Sequence, residues 1–144
     1  MTIRPLVAEE LASVLALLER CHLPTADLGE AKPHFLGESD AAGLVGVVGV
    51  EPLGRVGLLR SLGVRDDSRG KGLGGQLADA AEAWARGQNI EQLYLLTTTA
   101  EPFFARRGYQ ALARDQVDTA IHGTTEFTSA CPASATVMVR RLLP

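Results

Sequence analysis

Residues 65–75 read Arg-Asp-Asp-Ser-Arg-Gly-Lys-Gly-Leu-Gly-Gly, RDDSRGKGLGG. Four glycines and Lys71 fall within Gly70–Gly75, directly before a run with helical periodicity. Glycine loses more conformational freedom on folding than any other residue, so a stretch this rich in it implies a backbone that must come close to something. The elements on either side decide what that is.

Upstream, Val56–Val64 and the valine-rich Leu44–Glu51 read as strands separated only by Pro52-Leu53-Gly54. Phe35–Glu38 reads as a further strand, with Ser39–Gly43 as its turn. Connections this short make hairpins, so these strands are expected to be antiparallel. Nearer the start, Thr2–Leu6 is expected to be a short strand. Ala8–Cys21 is expected to be a helix with Leu11, Val14, Leu15 and Leu18 on its apolar face. Leu23–Leu28, with Pro24 and Asp27, reads as a loop leading into a short helix that Pro33 limits.

Downstream, Leu73, Leu77, Ala80, Ala81 and Trp84 recur at helical spacing, and Gly87 and Asn89 end that helix. Leu93–Thr98 is a continuous apolar strand, a pattern expected of burial on both faces. Pro102–Arg107 is expected to be helical and to stop at Gly108, with strands at Tyr109–Ala113 and Ala135–Leu142. Asp115–Pro132 carries the weakest pattern.

Composition narrows the function classes. The 144 residues suit one domain spanning 1–144, with 46% hydrophobic and 22% charged residues. A net charge of -3 without a basic stripe argues against nucleic acid. No apolar run is long enough to cross a membrane, and the first residues lack a signal peptide's apolar core, so a cytoplasmic location is expected. Cys21 and Cys131 form no C-x-x-C pair, and His22, His34 and His122 lack metal-ligand spacing, so no metal is expected.

Three phosphate-binding patterns can be laid on the loop. A P-loop needs Ser or Thr after its Lys, and Lys71 is followed by Gly72. Gly70, Gly72 and Gly75 match G-x-G-x-x-G, and Glu91 lies about 20 residues further on, as in dinucleotide-binding folds. However, five residues separate Val64 from Gly70, Glu91 precedes rather than ends the next strand, and the upstream strands are hairpins. The third pattern is Arg69-x-x-Gly72-x-Gly74. It resembles the Gln/Arg-x-x-Gly-x-Gly/Ala loop of the GCN5-related N-acetyltransferases, the GNAT family. There, backbone N–H groups at a helix N-terminus face a pyrophosphate. A second segment, Ala100-Glu101-Pro102-Phe103-Phe104-Ala105-Arg106-Arg107-Gly108-Tyr109, resembles the family's A-x-x-Φ-Y-x-x-x-G-F, where Φ is apolar.

The resemblance implies an α/β (α+β) fold. Its central sheet would be mixed and mostly antiparallel, of about seven strands, with helices on both faces. Val56–Val64 and Leu93–Thr98 would run parallel and splay apart. Acetyl-CoA is the implied cosubstrate. Leu62, Gly63 and Val64 would meet its pantetheine arm, and Arg69, Gly70, Lys71, Gly72, Leu73 and Gly74 its pyrophosphate. Ala100, Phe103, Phe104 and Arg106 would line the same channel. An amine would attack the thioester directly. Phe104 occupies the place of the family's usual Tyr acid, and Thr97 that of a common Asn. A Thr of Thr97–Thr99, Tyr94, Ser61 or water is left as proton donor, with Glu51 as base; Glu51, Thr98 and Ser61 are thus the catalytic candidates.

An α-amine, with a pKa of about 7.7–8.0, would need little help from a base, which leans towards a small amino-acid-like acceptor. The segments Leu95–Tyr109, Thr125-Glu126-Phe127 and Cys131–Ala135 are similar to those of arsenic-resistance GNAT enzymes. They also resemble N-acetylglutamate-synthase-type domains. This similarity implies a glutamate analogue such as arsinothricin or phosphinothricin as acceptor. Thr98, Phe127, Cys131 and Ser134 are the residues it points to, with Asp115–Pro132 as a pocket wall. Cys131 reads as a small buried hydrophobe rather than a nucleophile. Arg60, Thr97, Arg114 and Phe127 are the acceptor-binding candidates, with Arg60, Arg106 or Arg114 suited to an acidic group. An acyl-CoA sensor without turnover and a protein-lysine acetyltransferase stand as alternatives, and a homodimer is an assembly compatible with either.

Overall fold

The computed structural model describes residues 2–124, 127 and 134–142. Seven strands form one sheet in the order β1-β2-β3-β4-β5-β7-β6: β1 Arg4–Pro5, β2 His34–Asp40, β3 Gly43–Leu53, β4 Val56–Val64, β5 Gln92–Thr97, β6 Gln110–Leu112 and β7 Thr136–Arg141. The helices are α1 Leu11–Arg20, α2 Leu28–Ala31, α3 Leu73–Gly87, α4 Glu101–Arg106 and α5 Thr119–His122. Every adjacent strand pair is antiparallel except β4 and β5, which α3 connects as a parallel crossover. The mixed seven-stranded sheet is the one the sequence leads one to expect. Among the described residues, no helix is long and apolar enough to cross a membrane.

The two faces of the sheet are covered differently. On one, α3 lays Leu73, Leu77, Ala81 and Ala85 over Val48, Val50, Leu59 and Leu95, with Phe104 of α4 in the same cluster. On the other, Val14, Leu17 and Leu18 of α1 pack with Leu28 and Val47. Beside them, Val117 and Ile121 cover Val56, Leu58 and Tyr94. The α1 stripe differs from expectation by one position: Leu17 is buried, whereas Leu11 stays 38% exposed. Ala8–Glu10 forms a 3-10 turn instead of α-helix, which rotates the first residues off the α1 face. Strands β2 and β3 also run further than expected, so that the turns shrink to Ala41-Ala42 and Gly54-Arg55. Gly43 and Gly54 adopt positive φ at those turns.

One polar group is buried on the α3 side. Glu82 accepts hydrogen bonds from Tyr109 Oη at 2.9 Å and Arg140 at 2.8 Å, which ties α3 to the segment after α4 and to β7. Helical spacing alone gives no sign that this position faces inward. Burial, and next the Glu82 carboxylate, push the Tyr109 phenol above its ordinary value. The folded protein therefore keeps a proton that the unfolded chain releases above about pH 10, and stability falls as pH rises through that range. Tyr109→Phe is expected to cost about 1–3 kcal/mol at neutral pH, because Glu82 loses a donor. In urea titrations it should then lose less stability than wild type between about pH 9 and 11.

Candidate active site

Strands β4 and β5 pair over only three positions, Val56↔Gln92, Gly57↔Leu93 and Leu58↔Tyr94. Beyond Leu58 they diverge, and a cleft of about 1070 Å³ opens between Leu59–Val64 on one side and Leu95–Ala100 on the other. A bulge in β4 shapes the first wall. The register with β3 shifts between Val47 and Gly49, leaving Ser61 and Leu62 opposite one residue, and Ser61 sits at φ 59. Positive φ is uncommon outside glycine and costs on the order of 1–3 kcal/mol. The extra residue also reverses the alternation of side chains. Val56, Leu58 and Arg60 face the α1 and α5 side, but after the bulge it is Gly63 that abuts Leu18 and Cys21 of that side. Leu62 and Val64 turn to the α3 cluster instead.

The loop quoted at the outset closes one end of the cleft. Asp66–Ser68 forms a 3-10 turn, after which Gly70 and Gly72 adopt φ 80 and 81. Nothing would meet a Cβ at either position, so glycine is required here by the backbone angle rather than by space. Gly72 is the N-cap of α3 and offers no side chain to cap it. The first hydrogen bond of the helix runs from Gln76 N to Gly72 O. The N–H groups of Leu73, Gly74 and Gly75 thus begin a 15-residue helix without intrahelical acceptors, where the dipole favours an anion. Phe103 packs against Gly74 at this end.

The expected donor-site residues are mostly gathered here. Leu62, Gly63, Val64, Arg69, Gly70, Gly72, Leu73, Gly74, Ala100, Phe103 and Phe104 line the cleft. Arg69 does so while bound to its own chain: Nε donates to Val64 O at 3.0 Å, and the guanidinium pairs with Asp66 at 3.1 Å. Lys71 and Arg106 are exposed and lie outside the lining.

Of the expected catalytic and acceptor residues, Ser61, Thr97 and Thr98 line the cleft. Thr97 Oγ1 accepts a hydrogen bond from Ala100 N at 2.9 Å, which fixes the end of β5 to the start of α4. Tyr94 faces the opposite cluster with Val117 and Ile121, and Tyr109 is bound to Glu82. Neither phenol lines the cleft. Phe104 is buried edge-on between Phe103 and Tyr109. Arg114 and Phe127 lie outside the lining and pack on one another, the guanidinium 5.0 Å from the ring centroid. Ser134 is likewise outside the lining. Thr125, Glu126, Cys131, Pro132 and Ala133 lie outside the described residues.

Arg60 and Glu51 come together in a way their sequence positions do not suggest. Arg60 was expected to meet an acidic group on a ligand; instead its side chain is fully buried and meets two carboxylates of the protein. It donates to Asp27 at 2.5 and 2.7 Å, to Glu51 Oε1 at 2.7 Å and, through Nε, to Ser61 Oγ at 3.2 Å. Planar guanidinium forks suit this bidentate contact with Asp27. The Arg60 hydrogen bonds hold the Asp27 carboxyl below the usual carboxylate range, against the opposing effect of burial.

Asp27, Cys21 and His22 are the site residues that sequence reasoning missed. All three belong to the α1–α2 connection. Its irregularity marks it as a loop, but only the tertiary contact with Arg60 shows where it goes. Cys21 and His22 line the cleft, and Cys21 Sγ lies 3.6 Å from both Val64 O and the Arg69 guanidinium.

Removing the cation would strand two buried carboxylates. Arg60→Leu is expected to cost about 3–5 kcal/mol near pH 7, because an uncompensated buried charge is far worse than none. The deficit should shrink as pH falls towards about 5, where the stranded carboxyls take up protons. Urea midpoints compared across that range check both the size and the sign.

The fold has counterparts among solved structures. The chain superposes with a TM-score of 0.84 on N-acetylglutamate synthase from Neisseria gonorrhoeae complexed with coenzyme A and N-acetyl-glutamate, at 21% identity over 99% of this chain. The chain spans only about a third of that protein, 35% of its length. Rv2747 from Mycobacterium tuberculosis, in complex with CoA and NLQ, superposes at 0.81 with 19% identity, covering 99% of this chain and 100% of that one. Tetrahymena GCN5 superposes at 0.77 with 14% identity over 100% and 98% of the two chains. At such identities the likeness establishes the fold. The sequence itself carries the family: the model of the acetyltransferase (GNAT) domain matches residues 31–111, from the end of α2 through the cleft-forming strands to β6. With more than half of its length matched, the chain belongs to the GNAT acetyltransferase-domain family.

Proposed function

We propose that this protein transfers an acetyl group from acetyl-CoA to the amine of a small acceptor. The observation that carries this is the joining of two recognition surfaces in one cleft. At one end, glycines at positive φ lead into a helix whose first N–H groups lack intrahelical acceptors. That donor set suits a pyrophosphate. Along the side, β4 after Leu58 presents an edge with no strand beside it. A pantetheine arm, with its two amides, can pair with Leu62–Val64 as an added strand would. The thioester at the end of the arm would then lie towards Ser61 and Thr97–Thr99, beside the acceptor.

The chemistry asks little of the side chains. The amine nitrogen bonds to the thioester carbonyl carbon, the C–S bond breaks, the nitrogen loses a proton and the sulfur leaves with the electron pair. Glu51 Oε1 is held by Arg60, and Oε2 takes no hydrogen bond from the described residues. Glu51 lies outside the cleft lining, so Oε2 would take the amine's proton through water. A thiol pKa of about 8.5 makes the thiolate a tolerable leaving group near neutral pH, so no phenol is needed where Phe104 stands. Holding the amine and the carbonyl together supplies much of the acceleration.

Two acceptor classes have support. Similarity to arsenic-resistance and N-acetylglutamate-synthase-type enzymes favours a glutamate analogue such as arsinothricin or phosphinothricin. The N-acetyl-glutamate bound by the Neisseria protein is in keeping with it. The charge of the cleft favours an acceptor without carboxylates.

Thiol release from acetyl-CoA, measured over a panel of small amines and amino acids, tests the proposal. Turnover with at least one amine is expected. In parallel, Gly72→Glu should abolish coenzyme A binding in calorimetry, because it places a bulky anion at the helix N-terminus. Tight acetyl-CoA binding without turnover on any amine would contradict enzymatic transfer. Unchanged affinity in a folded Gly72→Glu protein would contradict the placement of the pyrophosphate.

A further inference from the structure

The cleft is electrically lopsided. At its α3 end stand Arg69 and the bare N–H groups of the helix. At the other end Arg60 lines the cleft, and Asp27 and Glu51, outside the lining, are paired with it from behind: two carboxylates against one guanidinium, with the Asp27, Arg60 and Glu51 side chains 2%, 0% and 8% exposed. At least four of the five N–H groups of Arg60 are committed, to Asp27, Glu51 and Ser61. This cation is spent on the protein's own anions, and the cluster keeps one net negative charge.

Among the described residues, no second lysine or arginine lines this end of the cleft. The chain has two lysines, Lys32 and Lys71, and neither lines the cleft. Among the described residues the lining arginines are Arg60 and Arg69, and His22 is the remaining basic side chain there. Arg106 and Arg114 lie elsewhere, the latter donating to Ala135 O. The stretch 125–133 brings no lysine, arginine or histidine; its only charged residue is Glu126.

We infer that the acceptor is an amine bearing no carboxylate, phosphinate or other anion near its reacting nitrogen, selected by the net negative Asp27–Arg60–Glu51 cluster. Like charges brought together away from water repel strongly, so an anionic group finds no partner at this end of the cleft. An ammonium approaching the same end is drawn in by the field of the cluster and sheds its first proton to solvent before attack. Asp27 acts through Arg60: it cancels the guanidinium's charge, leaving that of Glu51 uncompensated behind the cleft wall. It is a positioning residue. This inference rests on the acetyl-transfer proposal and deepens its second acceptor class.

A charge series on one carbon skeleton tests it. Glutamate, glutamine and glutaminamide differ by one charge at each step with little change in size, and 1,4-diaminobutane extends the series. Values of kcat/KM from thiol release are referred to the unprotonated amine, because the amide's amine loses its proton more readily. The specificity constant is expected to rise at each step, by about tenfold or more from glutamate to glutaminamide. A flat series, or one led by glutamate, would overturn the inference while leaving acetyl transfer intact. Thiol release with none of the four or any other amine would overturn acetyl transfer, and the inference with it. Asp27→Asn removes the net charge and should flatten the series; an undiminished slope in the folded variant would overturn the role given to Asp27. The wild-type series stands alone should that variant not fold.

Discussion

Everything in the cleft depends on the parallel pairing of β4 and β5 stopping after Leu58. Backbone groups of a strand interior have to be satisfied, so two neighbouring strands do not part without a cause. Here the cause is local. The bulge at Ser61-Leu62 adds a residue to β4, turns the following side chains over and bends the strand away. On the far side, β5 ends at Thr97, whose hydroxyl binds Ala100 N and starts α4. The strain held at Ser61 is offset by the packing of Leu62 and Val64 on the α3 cluster. It leaves an open strand edge where a ligand's amides can pair.

The two ends of this opening are built from different kinds of interaction. The α3 end uses backbone: positive-φ glycines and uncapped N–H groups, which need no particular side chain beyond the absence of one. Behind the other end, which Arg60 lines, lies a buried ion cluster whose members come from β3, β4 and the connection before α2. Buried charges of this kind tolerate little change, because removing one partner exposes the desolvation cost of the rest. On the proposed reading, a donor held by backbone and an acceptor chosen by a charge cluster would allow one fold to keep its cosubstrate while its acceptor varies.

That division also explains what the sequence could reveal. The loop at Arg69–Gly74 was legible because its backbone turns through positive φ at Gly70 and Gly72, which favours glycine there. The strands were legible because short apolar runs, valine-rich or continuous, bounded by Pro or Gly turns are local signals. Val56–Val64 was read to the residue. The bulge was not legible, since Ser61 carries no mark of its positive φ. Nor was the partner of Arg60: Asp27 lies 33 residues away and Glu51 nine, and nothing local states that the three meet. Reading Arg60 as a ligand for an anion was reasonable for an isolated arginine, and the two carboxylates that meet it exist only in the fold. Glu82 was hidden for the same reason, since a helix period marks an acidic residue as outward unless its partners are known.

The central claim is that the splay between β4 and β5, together with the α3 N-terminus, forms one coenzyme A site. Titrating the isotope-labelled protein with coenzyme A, and following backbone amide resonances, tests it directly. The account predicts that the largest shifts fall on Leu62–Val64 and on Arg69–Gly75, with smaller ones at Thr97–Ala100. Saturable binding whose shifts cluster elsewhere, with these two segments unmoved, would contradict it.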